Sequence, residues 1–164
     1  MITQEDLVFR DYVTPYDRGI VRDLTTATNM FSTSEIEVAV ELVEERLQRG
    51  NSSGYQFIFA EIESRPIGYS CFGAIPCTTH SFDLYWIVVD PSYQRMGIGV
   101  SMLQTIEFMV SKQGGRRLYA ETSSRALYTP TRNFYLSKGF SEAAQLPEFY
   151  APGDAKIIYV KILP

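Results

Sequence analysis

The segment Val89-Asp90-Pro91-Ser92-Tyr93-Gln94-Arg95-Met96-Gly97-Ile98-Gly99-Val100 has the residue types and spacing to hold a phosphate. It runs from the end of an apolar strand into an amphipathic helix through a loop that ends in Gly-x-Gly. Backbone N–H groups of such a loop converge on one spot at the positive end of a helix dipole, an arrangement that binds phosphate. Gly97-Ile98-Gly99 alone does not name a ligand, because a plain glycine helix start is spelled the same way. A dinucleotide fingerprint needs a third glycine where Met102 stands, and a P-loop needs Gly-Lys-Ser/Thr, which is absent here.

The elements that must carry this loop are legible from periodicity. Residues 7–13 read as a first strand. Residues 15–28 read as a helix capped by Thr14, with Pro15 at its first position. A second helix over 34–49 has Ile36, Val40, Val43 and Leu47 at three- or four-residue intervals and stops at Gly50. Strands over 55–63 and 66–75 flank a Ser64-Arg65 turn, and a third covers 81–89. Strict alternation in that third strand puts Phe82, Leu84, Trp86 and Val88 on one face and Asp83, Tyr85, Ile87 and Val89 on the other. A helix follows over 97–112, ended by Gly114-Gly115, then a strand over 116–123 and a short helix over 131–138. Closing strands cover 140–146 and 156–163. The order βααβββαβαββ is that of an α+β domain with one mixed sheet.

Length and composition agree with a single domain over residues 1–164, 45% hydrophobic and 13% aromatic. No run reaches the roughly 18 apolar residues that cross a membrane. The acidic start Met1-Ile2-Thr3-Gln4-Glu5-Asp6 lacks a signal-peptide pattern, so a cytoplasmic location is expected. A net charge of −4 argues against nucleic acid as partner. Cys71 and Cys77 have no metal or redox spacing and read as buried thiols, and one histidine makes a metal site unexpected. That residue, His80, reads as a surface side chain.

Context narrows the loop's meaning. Gln94-Arg95-Met96-Gly97-Ile98-Gly99 follows a strand ending in Val88-Val89-Asp90-Pro91, and Asn133-Phe134-Tyr135-Leu136-Ser137-Lys138-Gly139-Phe140 comes later. This pairing resembles the GNAT superfamily of acyl-CoA-dependent N-acyltransferases, which carries Q/R-x-x-G-x-G/A at its pyrophosphate loop and a later Phe-Tyr-x-x-x-Gly-Phe. The resemblance covers nearly the whole chain. It implies a GNAT-like α+β fold, a central mixed twisted sheet of about six to seven strands flanked by about four helices. It also implies acetyl-CoA as cofactor.

By that resemblance, amides of Arg95, Met96, Gly97, Ile98, Gly99 and Val100, with Gln94, hold the pyrophosphate. Ile87, Val88 and Val89 offer main-chain groups to the pantetheine arm, and the Ile87 N–H lies near the thioester carbonyl as an oxyanion donor. Core packing is the competing role for Ile87 and Val89. Tyr135 matches the family's general acid, although a tyrosine packing the last helix on the sheet looks the same in sequence. Phe134 packs against coenzyme A or the core. An asparagine that many members carry seven residues before the tyrosine is Tyr128 here.

An amine acceptor must lose a proton before it attacks, since a lysine-like amine has a pKa of about 10.4. Asp83 and Glu121 are the candidate bases, each competing with a role as an edge charge or ion-pair partner. Asp83 is expected to share a face with Ile87 at roughly 13 Å along the strand, which suggests a water relay. The acceptor pocket is expected from the first two helices, residues 29–32, residues 122–125 and an aromatic lid loop over 147–154, with Arg125 and Tyr150 reading the acceptor.

The leading expectation is direct transfer of acetyl from acetyl-CoA to a primary amine of a small-molecule or amino-acid-like acceptor, through a tetrahedral intermediate. The acidic balance favours a cationic acceptor. A protein N-terminal or lysine acetyltransferase is the alternative. A non-catalytic coenzyme A-binding module is the third reading, and a homodimer is an open analogy.

Overall fold

The computed structural model describes residues 7–164, so the acidic start read above lies outside the described residues. The strands are β1 (Leu7–Arg10), β2 (Gln56–Ile62), β3 (Arg65–Ala74), β4 (Ser81–Val89), β5 (Arg117–Ser123), β6 (Ser141–Ala151) and β7 (Asp154–Ile162). The helices are α1 (Asp17–Ala27), α2 (Thr33–Arg49), α3 (Ile98–Lys112) and α4 (Thr129–Ser137). The strands form a seven-stranded sheet in the order β1-β2-β3-β4-β5-β7-β6. The fold is thus the α+β arrangement expected from the chain. It divides into two compact units, one holding the described residues through Gly73 with Trp86–Ile106, the other Ala74–Tyr85 with Glu107–Pro164.

In the first unit, β1, β2 and β3 run antiparallel. The turn between β2 and β3 uses Glu63 and Ser64, both at positive φ (49° and 64°), rather than Ser64-Arg65. Helix α2 starts on a capping box in which the Ser32 side chain and Glu35 satisfy each other's backbone N–H groups. Val21, Leu24, Ala39, Val40 and Val43 of α1 and α2 pack on Phe57, Phe59, Tyr69 and Cys71. On the opposite side, Ile98 and Met102 of α3 pack on Ala60 and Ile67.

Helix α1 begins later than Pro15, and its cap is not Thr14. The order is reversed: Asp17 accepts from the Thr14 N–H at 2.6 Å and from the Thr14 hydroxyl at 3.0 Å. Asp17 is fully buried because Arg10 grips it at 2.8 Å while also reaching Glu61 at 2.7 Å and stacking on Phe59.

In the second unit, β4 pairs parallel with β5, β5 antiparallel with β7, and β7 antiparallel with β6. Leu118, Ala120, Tyr159 and Ile157 turn to the helix-covered face of this sheet. There Lys161 reaches Glu107 of α3 at 2.5 Å, and Tyr159 stacks on Tyr135 of α4.

Two further expectations change. Residues 147–154 are not a lid loop: β6 continues to Ala151 with an irregularity between Leu146 and Ala151, and Pro152-Gly153 turns the chain into β7. Turn residues and aromatics serve a bulged hairpin as well as a loop. In the second unit Phe82 of β4 lies beside Val110 of α3. In the first, Ile87 and Val89 pack with Ile98 and Met102. Finally, Cys71 is buried as expected, but Cys77 is exposed on a turn at positive φ.

Gly115 has no room for a side chain: a Cβ there would lie 2.3 Å from Val110 and 2.8 Å from the Phe82 ring. Gly115→Ala should therefore overpack this corner and lower stability by about 1–3 kcal/mol in chemical denaturation. An unchanged midpoint would show that β4 and α3 separate freely at this point.

Candidate functional site

The first unit carries the loop. After β4 the Asp90 N–H donates to the Ile67 carbonyl at 2.8 Å, and the Asp90 carboxylate accepts the Ser92 N–H at 2.8 Å. Gln94 folds back, its side-chain amide donating to the Val89 carbonyl at 3.0 Å. Arg95 and Gly97 both take positive φ, 62° and 83°. One residue apart, these left-handed positions turn the backbone so that successive N–H groups can face one point.

The Ser101 N–H donates to the Gly97 carbonyl at 3.0 Å and starts α3. The N–H groups of Ile98, Gly99 and Val100 then have no partner within the helix, as at any helix start. Ile98 is anchored in the core with Met102, while Gln94, Arg95, Met96 and Gly97 are exposed. No heavy atom stands within 4 Å of where a Gly97 Cβ would be. An open, amide-lined cradle at a helix N-terminus fits a phosphate. The side chains of Ile87, Val88 and Val89 are core, with Val88 among the α1 and α2 residues and Ile87 and Val89 beside α3.

The second unit carries the acids. Asp83 on β4 stands opposite Tyr119 on β5, and the parallel register runs from Ser81–Arg117 to Leu84–Ala120. Glu121 lies two residues beyond Tyr119 and so on the same face as Asp83. Asp83, Leu84, Tyr85 and Glu121 line one cavity. Lys156 enters from β7, where it pairs in register with Ser123. Its ammonium lies 2.6 Å from Glu121 Oε2 and 3.9 Å from the centre of the Phe149 ring. The Lys156 side chain is 15% exposed and that of Glu121 45%. Asp83 is pushed up to about 6, first by burial and then by the nearby Glu121 charge, with Lys156 opposing.

Tyr135 sits elsewhere. Thr129 and Pro130 start α4, earlier than the expected residue 131, because proline suits the first turn of a helix. Tyr135 is 4% exposed, with ring centres of Phe134, Phe140 and Tyr159 at 5.7, 5.2 and 5.8 Å. Burial raises its pKa, so the phenol holds its proton. Because Tyr159 and Ile158 alternate on β7, Tyr135 packs on the helix-covered face of this unit's sheet, and Asp83 and Glu121 lie on the other. Half-buried Phe134 meets it edge-on.

Arg125 has a half-exposed side chain. It pairs with Asp154 at 3.3 Å, and Asp154 also accepts from Ser123 Oγ at 2.5 Å. His80 is on the surface as expected, with Nδ1 at 2.8 Å from the Gly114 carbonyl. Phe31 packs edge-on against Trp86 at 4.9 Å. Sequence reasoning missed Lys156, and it put Phe149 in a lid loop rather than over that lysine. Only the β5–β7 register brings Lys156 to Glu121, and no local pattern announces that pairing.

A family model described as Acetyltransferase (GNAT) domain matches residues 53–142. A solved structure assigned to the GNAT family, from Desulfovibrio desulfuricans, is 43% identical, covers 96% of this chain and 99% of that chain, and superposes with a TM-score of 0.94. A structure of aminoglycoside 6'-N-acetyltransferase complexed with coenzyme A shares the fold at 20% identity, with a TM-score of 0.73 over 96% of this chain and 98% of that one. An N-alpha-acetyltransferase of Sulfurisphaera tokodaii is 28% identical over 108 residues, which span 60% of this chain and 64% of that protein. With its expected motifs carried on this topology, the chain belongs to the GNAT acetyltransferase family.

Proposed function

We propose that this protein transfers an acetyl group from acetyl-CoA to a primary amine of a small, cationic acceptor. The observation that carries the reading is the cavity lined by Asp83 and Glu121, where one carboxyl titrates near 6. When bound, acetyl-CoA supplies an activated acetyl thioester, and amine plus thioester become amide plus thiol. The N–H groups from Arg95 to Val100 would hold its pyrophosphate, with charge-assisted hydrogen bonds of roughly 1.5–3 kcal/mol each. Backbone groups of Ile87, Val88 and Val89 would take the pantetheine arm, and Phe134 offers an apolar wall.

The two acids differ as bases. A proton passing from an amine of pKa about 10.4 to a group near 6 goes uphill by about 6 kcal/mol, against about 9 for an ordinary aspartate. Glu121 already binds the Lys156 ammonium at 2.6 Å, so its carboxylate is engaged. Asp83 is therefore the base, and Glu121 attracts the cationic acceptor. Tyr135, kept protonated by burial, is the proton donor toward the leaving thiolate.

A second reading is acetylation of a protein N-terminus, favoured by the similarity to the Sulfurisphaera tokodaii N-alpha-acetyltransferase. An α-amine has a pKa of about 7.7–8.0 and makes a smaller demand on Asp83.

Acetyl-CoA should raise the melting temperature, and Gly97→Val, strained at a φ of 83°, should remove that rise. Thiol release with small diamines and aminoglycoside-like amines should exceed that with peptide N-termini. The opposite order would select the second reading, and silence with both panels would reject transfer in favour of a coenzyme A-binding module.

Asp83→Asn should cut turnover by about 10²–10⁴-fold. The same change should stabilise the fold. Asp83 titrates near 6 when folded and near 3.9 when unfolded, so the folded state binds its proton more tightly. Its destabilising effect is absent below about pH 4, grows between about 4 and 6, and is complete above that. Asp83→Asn should melt with wild type at about pH 4 and above it at pH 8. Equal melting at both would mean that Asp83 is not desolvated.

A further inference from the structure

We infer that Lys156 is a positioning residue that divides the work of the two acids, tying the Glu121 carboxylate into an ion pair and leaving Asp83 as the group that exchanges a proton with the acceptor. The inference rests on the proposed role of Asp83 as base. Its geometry is independent of that role. Lys156 and Glu121 are on neighbouring strands, with Lys156 in register with Ser123 and Glu121 with Ile158, so the long lysine crosses diagonally to close the 2.6 Å pair. The Phe149 ring, on the irregular end of β6, covers the ammonium at 3.9 Å. An aromatic face attracts the ammonium and reduces its freedom to swing to water.

The cover makes this ion pair unlike an ordinary surface contact. Exposed pairs contribute little because both chains are mobile and screened. Here the cation is mostly buried and its position is fixed from below by β7 and from the side by Phe149. The groups facing Asp83 across the strands are Tyr119 and Glu121 on β5, with Lys156 on β7. Without Lys156, Glu121 repels an ionised Asp83 with no opposing charge. With it, Glu121 is tied into an ion pair and Asp83 is the carboxyl left to exchange a proton. The irregularity at Pro147–Tyr150, which reads in sequence as a loop, then has a role: it places Phe149 over Lys156.

The test compares Lys156→Met, Lys156→Arg and Phe149→Leu with wild type by two readouts. One is the carboxyl ¹³C titration of Asp83, which needs no turnover. The other is the acid limb of kcat/KM. Lys156→Met should raise the Asp83 midpoint by about one unit, a loss of about fivefold in ionised fraction at the original midpoint. The kinetic limb should move with it. Lys156→Arg should restore both, and Phe149→Leu should shift both upward by less. An Asp83 midpoint that stays put in Lys156→Met and Phe149→Leu overturns the inference. So does a loss of kcat that is uniform across pH with the limb unmoved, the mark of a merely structural lysine. A wild-type protein silent toward every amine, with the midpoint still moving, would reject the proposed base while leaving the Lys156 device in place.

Discussion

The four parallel pairs between β4 and β5, from Ser81–Arg117 to Leu84–Ala120, set two carboxylates on one face of a sheet. Asp83 and Glu121 are brought there by strand alternation, and the fold must then tolerate like charges beside a half-buried cavity. It does so unequally. Glu121 lies nearer water and takes the Lys156 ammonium, whereas Asp83 takes the burial and the repulsion. The asymmetry leaves Asp83 with the raised proton affinity and Glu121 with the ion pair, so the two acids are placed for different tasks. The antiparallel register of β5 with β7 is equally necessary, since a one-residue slip would turn Lys156 to the helix-covered face.

The loop in the first unit obeys a different constraint. Its N–H groups serve an anion only if the backbone is held in a conformation that most residues avoid. Arg95 at a φ of 62° carries a strain that glycine at position 97 does not. Hydrogen bonds at both ends hold it: Asp90 to Ile67 and Gln94 to Val89 on the strand side, Ser101 to Gly97 on the helix side. Ile98, buried beside Met102, fixes the first turn of α3 to the core. Rigidity ahead of binding lowers the ordering cost that a flexible loop would incur.

Much of this was legible in the sequence because the signals are local. Gly97 and Gly99 after an apolar strand mark the loop, and the Phe134-Tyr135 and Gly139-Phe140 spacing marks the later helix. Helix α2 ends at Gly50 as its periodicity indicates. What failed was nonlocal or depended on a break in regularity. Thr14 has the right type for a cap, but Asp17 accepts from it instead, held in place by Arg10 from β1. Pro147 to Gly153 has loop composition yet belongs to a bulged hairpin. Lys156 had no signal at all, because its partner is on another strand and the register that joins them is a property of the folded sheet.

The central claim is that Asp83, held near 6 by burial and by Glu121, accepts the acceptor's proton. The most direct measurement is the pH dependence of kcat/KM for the best amine, from about pH 5 to about pH 9, in wild type and Asp83→Asn. The account requires a unit-slope rise with a midpoint near 6 in wild type, and a low rate without that limb in the variant. A wild-type rate that is flat down to pH 5, or a variant that keeps both the rate and the limb, would contradict it.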